Sequence, residues 1–201
     1  MYYNSEEGSR KTHLQKKEKQ LIMEKVSGNN EHQLEEIICG PILRHVSPTQ
    51  LVVWIVTSSA EALILECYHE GEKLASKVFK ENHQGYIRLG EKAHLHLLKL
   101  EPDQPLPQDT WLSYDVGIPA GDEKVHWLKT AAPDLSYTDV NQRPTFIIKE
   151  HLDHIVHGSS RLPHSREADS LLALDDLLAE ARLPKAKLAQ QPALLMLYGG
   201  Q

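Results

Sequence analysis

Between Ile37 and Pro119 apolar and polar residues alternate with a period of two, interrupted at short intervals by turn residues. Leu51-Val-Val-Trp-Ile-Val-Thr57 is β-branched and aromatic, with Val52, Trp54 and Val56 on one face. Ala62-Leu-Ile-Leu-Glu-Cys-Tyr68 sets Leu63, Leu65 and Cys67 opposite Ile64, Glu66 and Tyr68. Ala93-His-Leu-His-Leu-Leu98 places His94 and His96 outward from Leu95 and Leu97. Trp111-Leu-Ser-Tyr-Asp-Val-Gly-Ile118 turns Leu112, Tyr114, Val116 and Ile118 inward, and weaker strands fit near 73–79 and 84–89. A strict period of two marks strands with one buried face. Ser47-Pro48, Ser58-Ser59, His69-Glu-Gly71, Asn82-His83 and Pro102-Asp-Gln-Pro105 punctuate them as turns. The pattern predicts six or seven short strands and a mainly β fold, an immunoglobulin/fibronectin-like sandwich over residues 37–120.

The flanks read differently. Residues 1–36 are almost wholly polar and predict a disordered or weakly helical tail, with Lys16, Lys17 and Lys19 on a solvated face. Residues 121–144 form a linker rich in Pro, Gly and Asp, within which Trp127 and Leu128 pack against a neighbour. From Thr145 the chemistry changes again. Phe146-Ile-Ile-Lys149 and Ile155-Val156 predict strands, and His157-Gly-Ser-Ser-Arg-Leu-Pro-His164 a loop. Ser165 caps a helix whose first turn holds Glu167 and Asp169, which suits the helix dipole. Leu171, Leu174, Leu178 and Ala181 recur at helical spacing, and Pro184 ends the helix. Pro192-Ala-Leu-Leu-Met-Leu-Tyr-Gly-Gly-Gln201 then supplies the apolar run of a strand meant to be covered on both faces. Strand, loop, helix and strand make one βαβ unit, which alone cannot cover both faces of its sheet. Residues 145–201 therefore read as the incomplete start of an α/β domain, with the exposed strand 193–198 favouring self-association.

Bulk properties narrow the function classes. The net charge of −6 argues against a nucleic-acid partner, since a phosphate-binding surface needs a basic stripe. No stretch reaches the ~20 apolar residues of a membrane span, and no apolar core follows the N-terminal basic residues as a secretory signal would require. The expectation is a cytoplasmic protein with neither nucleic acid nor membrane as partner. Cys39 and Cys67 sit beside apolar residues and read as two buried free thiols, although one disulfide between them remains open.

Scattered constellations carry little chemistry. On a strand, His151 and His157 share a face ~20 Å apart while His154 faces the other way, too far for one metal. His94 and His96, ~7 Å apart on one face, belong to a solvated surface. Ser160 lacks the Gly-x-Ser-x-Gly elbow of an activated serine. Trp54, Trp111 and Trp127 together suggest a carbohydrate platform, but Trp54 is more simply a core residue.

Several segments in order carry a resemblance to a known family. Gly40-Pro-Ile-Leu-Arg-His-Val46 followed by Leu51-Val-Val-Trp-Ile-Val-Thr57 resembles the start of the PhoD-like phosphatases, the alkaline phosphatase D family. So do His157-Gly-Ser-Ser-Arg-Leu-Pro-His164, the helix containing Ala173-Leu-Asp-Asp-Leu-Leu178, and the final Pro192–Gln201 run. The resemblance covers about residue 38 to the end and implies an N-terminal β-sandwich followed by a metallophosphatase domain holding iron and calcium. It also implies ligand positions. Where the family has a cysteine iron ligand this chain has Ser160, and where the family has an aspartate metal ligand it has Gly200. A hydroxyl is a far poorer ligand than a thiolate, and glycine offers no side chain. The remaining family ligands match nothing before Gln201, so no residue receives a catalytic role and no cofactor is expected for this chain. The reading is the N-terminal part of a phosphoester hydrolase, inactive as it stands, with the missing catalytic portion as a partner. The alternative is a non-catalytic β-sandwich interaction module.

Overall fold

The computed structural model describes residues 34–121, 124–133, 143–159, 171–180 and 191–198. Apart from Leu34 these belong to one compact unit, Glu35–Gln201. The fold is mainly β. In chain order it comprises β1 (Ile37–Ser47), β2 (Gln50–Thr57), β3 (Leu63–His69), β4 (Glu72–Phe79), β5 (Tyr86–Arg88), β6 (His94–Leu100) and β7 (Trp111–Ala120). There follow β8 (Lys124–Trp127), the short helix α1 (Leu128–Ala131), β9 (Thr145–Ile147), β10 (Ile155–Ser159), helix α2 (Leu171–Glu180) and β11 (Leu194–Tyr198). Among the described residues no helix is long and apolar enough to cross a membrane.

Two sheets are antiparallel. One has the order β1-β2-β6-β5; the other has the order β4-β3-β7-β8, with β9 also paired to β7. Both feed one hydrophobic cluster. The first contributes Leu51, Val53, Ile55, Leu98 and Leu100, the second Leu63, Leu65, Cys67, Phe79, Leu112, Tyr114, Val116 and Ile118. The inward side of β7 is the one the period-two pattern predicts, and of the two faces the pattern separates in β3 the inward one is Leu63, Leu65 and Cys67. β2 is apolar on both faces, so alternation cannot orient it, and its inward side is Leu51, Val53 and Ile55. Trp54 is therefore not core: it lies half-buried on the opposite face, paired with Ile42 of β1 and Leu97 of β6.

Residues beyond 120 join the second sheet. β8 pairs with β7 through Gly117↔Trp127 and Ala120↔Lys124. Trp127 lies over Gly117, where a Cβ would come within 2.9 Å of the indole. Leu128 is buried in the core cluster, the packing expected of it. β9 adds Thr145–Ile147 to the other end of β7, and Phe146 and Ile148 enter the same cluster.

The third sheet is parallel and two-stranded. β10 pairs with β11 from Ile155↔Leu194 to Ser159↔Tyr198 without a register shift, and α2 lies between them in sequence, as the βαβ pattern predicts. Ser165, Glu167, Asp169, Ala181 and Pro184, assigned to the helix ends, lie outside the described residues. Ile155, Leu194, Leu195 and Met196 are exposed. Cys39 and Cys67 are both free thiols; Cys67 is buried as expected, but Cys39 is exposed, correcting the expectation of a second buried thiol. Its register partner is Val56, which places it on the outer side of β2's sheet rather than the core side. Burial pushes the Cys67 thiol up to about 11, so it is an inert core residue.

Candidate functional site

The strongest polar constellation is one that alternation assigned to the surface. His94 and His96 point inward, 5% and 1% exposed, while Leu97 on the other face is 41% exposed. The pairing of β2 with β6 explains the reversal. Directly opposed residues share a face, and the inward rows are Leu51↔Leu100, Val53↔Leu98, Ile55↔His96 and Thr57↔His94. The interior of this sheet thus grades from apolar at one end to polar at the other. The β5 register, Tyr86↔His96 and Arg88↔His94, brings two further polar side chains to the polar end.

The hydrogen bonds there fix every tautomer. Gly85 N–H donates to His83 Nδ1 at 3.1 Å, so the proton of a neutral His83 sits on Nε2. That Nε2–H donates to His96 Nδ1 at 3.3 Å, which leaves the His96 proton on Nε2. The His96 Nε2–H then donates to Thr57 Oγ1 at 3.0 Å, and the Thr57 hydroxyl donates to the Ser59 carbonyl at 2.7 Å. His94 obeys the same rule: Nε2–H donates to the Glu91 carbonyl at 3.3 Å and Nδ1 accepts from Tyr86 OH at 2.8 Å. The His83 and His96 rings are near-parallel with centroids 5.5 Å apart, and the Phe79 ring meets His83 edge-on at 5.2 Å. Burial drives His96 down to about 4, with His83 and His94 adding like-charge repulsion. Burial, and then the Lys77 ammonium, lowers His83 as well. His83 and His96 are therefore held as neutral donor–acceptor links.

Beside them is an open hollow of about 650 Å³, lined by Ser58, Ser59, Asn82, Tyr86, Arg88 and His94 among others. Arg88 spends its Nε–H on the Gly90 carbonyl. The hollow offers hydroxyl, amide and guanidinium donors, but no strongly polarised nucleophile.

A second polar network lies on the side of the other sheet facing away from the core. Glu66 is the register partner of both Ser76 and Asp115, so the three share that side. Glu66 accepts from Tyr68 OH, from Lys73 Nζ at 2.9 Å and from Ser76 Oγ at 3.0 Å. Burial pushes its carboxyl up, but these hydrogen bonds and the Lys73 charge outweigh burial and leave it below the ordinary carboxylate value. Asp115 accepts from Leu128 N–H at 3.1 Å and from Arg143 Nε at 3.3 Å. Burial still leaves Asp115 above its ordinary value, although both donors pull it down. Arg143 also stacks on the Tyr68 ring at 3.7 Å. This network ties Leu128 and Arg143 to the sheet, and its carboxylates are engaged by these donors.

The positions singled out by resemblance fare differently. Ser160 and Gly200 lie outside the described residues. The strands that lead to them end as neighbours, Ser159 opposite Tyr198. His151, His154 and His157 are exposed. Among the described residues no three His, Cys, Asp or Glu side chains gather as a metal site. Trp54 belongs to one antiparallel sheet and Trp111 and Trp127 to the other, so the three form no common platform. The histidine chain is what sequence reasoning missed. One signal pointed to it: Lys99 follows Leu98, and a charged residue at that parity puts 95 and 97 outward and 94 and 96 inward. Comparison with protein-family models, with curated proteins and with solved structures finds no match.

Proposed function

We propose that this chain is the N-terminal part of a PhoD-like metallophosphatase: an immunoglobulin/fibronectin-like sandwich leading into the first βαβ unit of a catalytic domain. The chain itself does not hydrolyse phosphoesters. The observation that supports this reading is the parallel, in-register pairing of β10 with β11. Parallel α/β sheets place ligands beyond the carboxyl ends of their strands, and here those two ends are adjacent. The residues next in sequence are Ser160 after one strand and Gly199-Gly200 after the other, the positions the resemblance equates with metal ligands.

The donors present do not fit the family's metals. Ser160 supplies a hydroxyl in place of a thiolate, and Gly200 supplies nothing. Iron and calcium are left short of two ligands, and a two-metal hydrolysis has no residues here to run it. Purified full-length chain, assayed on bis-p-nitrophenyl phosphate with iron and calcium added, is expected to match the metal-only blank. Metal-dependent turnover that disappears in Ser160→Ala would overturn the proposal.

A second reading, a non-catalytic interaction module, rests on the row Ile42, Trp54 and Leu97. These cross-strand neighbours lie on the side of the first sheet away from the core, with Ile42 and Leu97 exposed. A monomer in which the 145–201 segment unfolds together with the sheets favours this module. Self-association or separate proteolysis of that segment favours the phosphatase fragment.

A further inference from the structure

We propose that the His83–His96 pair is an acid-released latch that holds β5 and its flanking turns, residues 82–93, against β6. The main-chain hold on this segment is short. β5 contributes three register pairs to β6, supplemented by Leu97 N–H to the Gly85 carbonyl at 2.8 Å. The side-chain hold consists of His83 on His96 and Tyr86 on His94, at 3.3 and 2.8 Å.

The His83–His96 bond needs both imidazoles neutral. A second proton on His96 places an Nδ1–H against the Nε2–H of His83. A second proton on His83 places an Nδ1–H against the Gly85 N–H. A single proton on either ring therefore turns one attractive contact into donor against donor, at a site where His96 is 1% exposed.

The surroundings give an imidazolium little help. From β4, Lys77 opposes it, its Nζ already bonded to the Lys99 carbonyl and lying over the Phe79 ring. From β2 and the turn after it come Thr57 and the Ser59 carbonyl, both uncharged. β5 presents Tyr86 and the cationic Arg88, and the turn into β6 presents Glu91, the carboxylate among the residues lining the hollow. Glu91 reaches His94 through its carbonyl at 3.3 Å. The depressed proton affinities of His96 and His83 accord with this balance. Release of 82–93 relieves the conflict by giving the imidazoles to water, and it uncovers the edge of β6 and the Phe79 ring.

Native-state hydrogen exchange on the full chain at pH 7 and at about pH 4.5, corrected for intrinsic rates, tests the latch. Protection of amides 85–97 is expected to fall at least about tenfold more than that of β3 and β7. In His83→Gln, whose amide still donates to His96 and does not titrate, and in His96→Gln, the extra loss shrinks to less than about threefold. The proposal is overturned if the wild-type segment shows no extra loss, if both variants lose as much as the wild type, or if β3 and β7 lose protection in parallel. If His96→Gln does not fold, His83→Gln decides the outcome alone.

Discussion

Leucines meet opposite fates in two parts of this molecule. In β3, Leu63 and Leu65 are sealed in the core cluster, whereas Leu194 and Leu195 of β11 are 39% and 46% exposed. The strands do not differ in apolar content so much as in what stands opposite them. The antiparallel sheets share a core, and each inward face finds a partner. The parallel pair β10–β11 has two strands, and parallel sheets are stable where both faces are covered. One region is finished by its own contacts. The other is a parallel pair whose Ile155, Leu194, Leu195 and Met196 stay exposed among the described residues.

Substitutions should separate the two regions, beginning with the core. Leu65→Ala removes a fully buried side chain and is expected to cost about 2–5 kcal/mol in urea unfolding followed by tryptophan fluorescence. All three tryptophans lie on the antiparallel sheets, so the signal reports that region. A cost under about 1 kcal/mol would mean that the two sheets do not share the packed interior described here.

Acid should weaken the same region next most. His96 is depressed in the fold to about 4 from an ordinary 6.5, so between those values the unfolded chain binds a proton that the folded chain refuses. Stability is then full above about pH 6.5, falls as the pH drops, and stops falling near pH 4, for a total loss of at most about 3 kcal/mol. His83 shifts in the same direction and adds the same sign. A flat profile between pH 7 and 4.5 would contradict the buried, neutral His96. A loss much below the ceiling indicates that residues 82–93 have opened and let the proton in.

Arg143→Ala should come third. It strips a counter-charge from buried Asp115 and a stacked cation from Tyr68. Because the Arg143 side chain is partly exposed, the expected cost is about 2 kcal/mol, below that of breaking a fully buried pair. Asp115→Asn with Arg143→Ala should recover part of it, a coupling that a double-mutant cycle measures.

The smallest effect belongs to the parallel pair. Leu195→Glu is expected to change the unfolding of the antiparallel sheets by less than about 0.5 kcal/mol, as at an exposed site. Sedimentation should show less self-association than in the unmodified chain. A large drop in fluorescence-detected stability would place β11 inside the cooperative core.

How much of this was legible in the sequence depends on the strand. β3 and β7 could be oriented because Glu66, and Ser113 with Asp115, break the apolar run on one parity. β2 carries apolar residues at every position from Leu51 to Val56, so only its register with β6 shows that Leu51, Val53 and Ile55 face in and Trp54 does not. β6 misled because its first residues alternate His and Leu, and Lys99, which sets the parity, lies beyond the segment that looked like a strand. The histidine cluster stayed hidden for a related reason. Its members come from β6 and from the turn before β5, and their convergence depends on pairing that no local pattern encodes. The βαβ order was readable at 145–201, because a parallel pair with a helix between leaves its mark within one contiguous stretch. The pairing of β9 with β7 was not, since its three residues carry no sign of the strand they join.

Limited proteolysis of the full chain, with fragments mapped by mass spectrometry, tests most directly whether the antiparallel sheets hold together as a unit independent of the parallel pair. The account predicts early cleavage C-terminal to Lys149 and a resistant core spanning about 37–148 that keeps its cooperative tryptophan transition. Digestion of both regions at one rate, or collapse of the core once the C-terminal segment is cut, would contradict it.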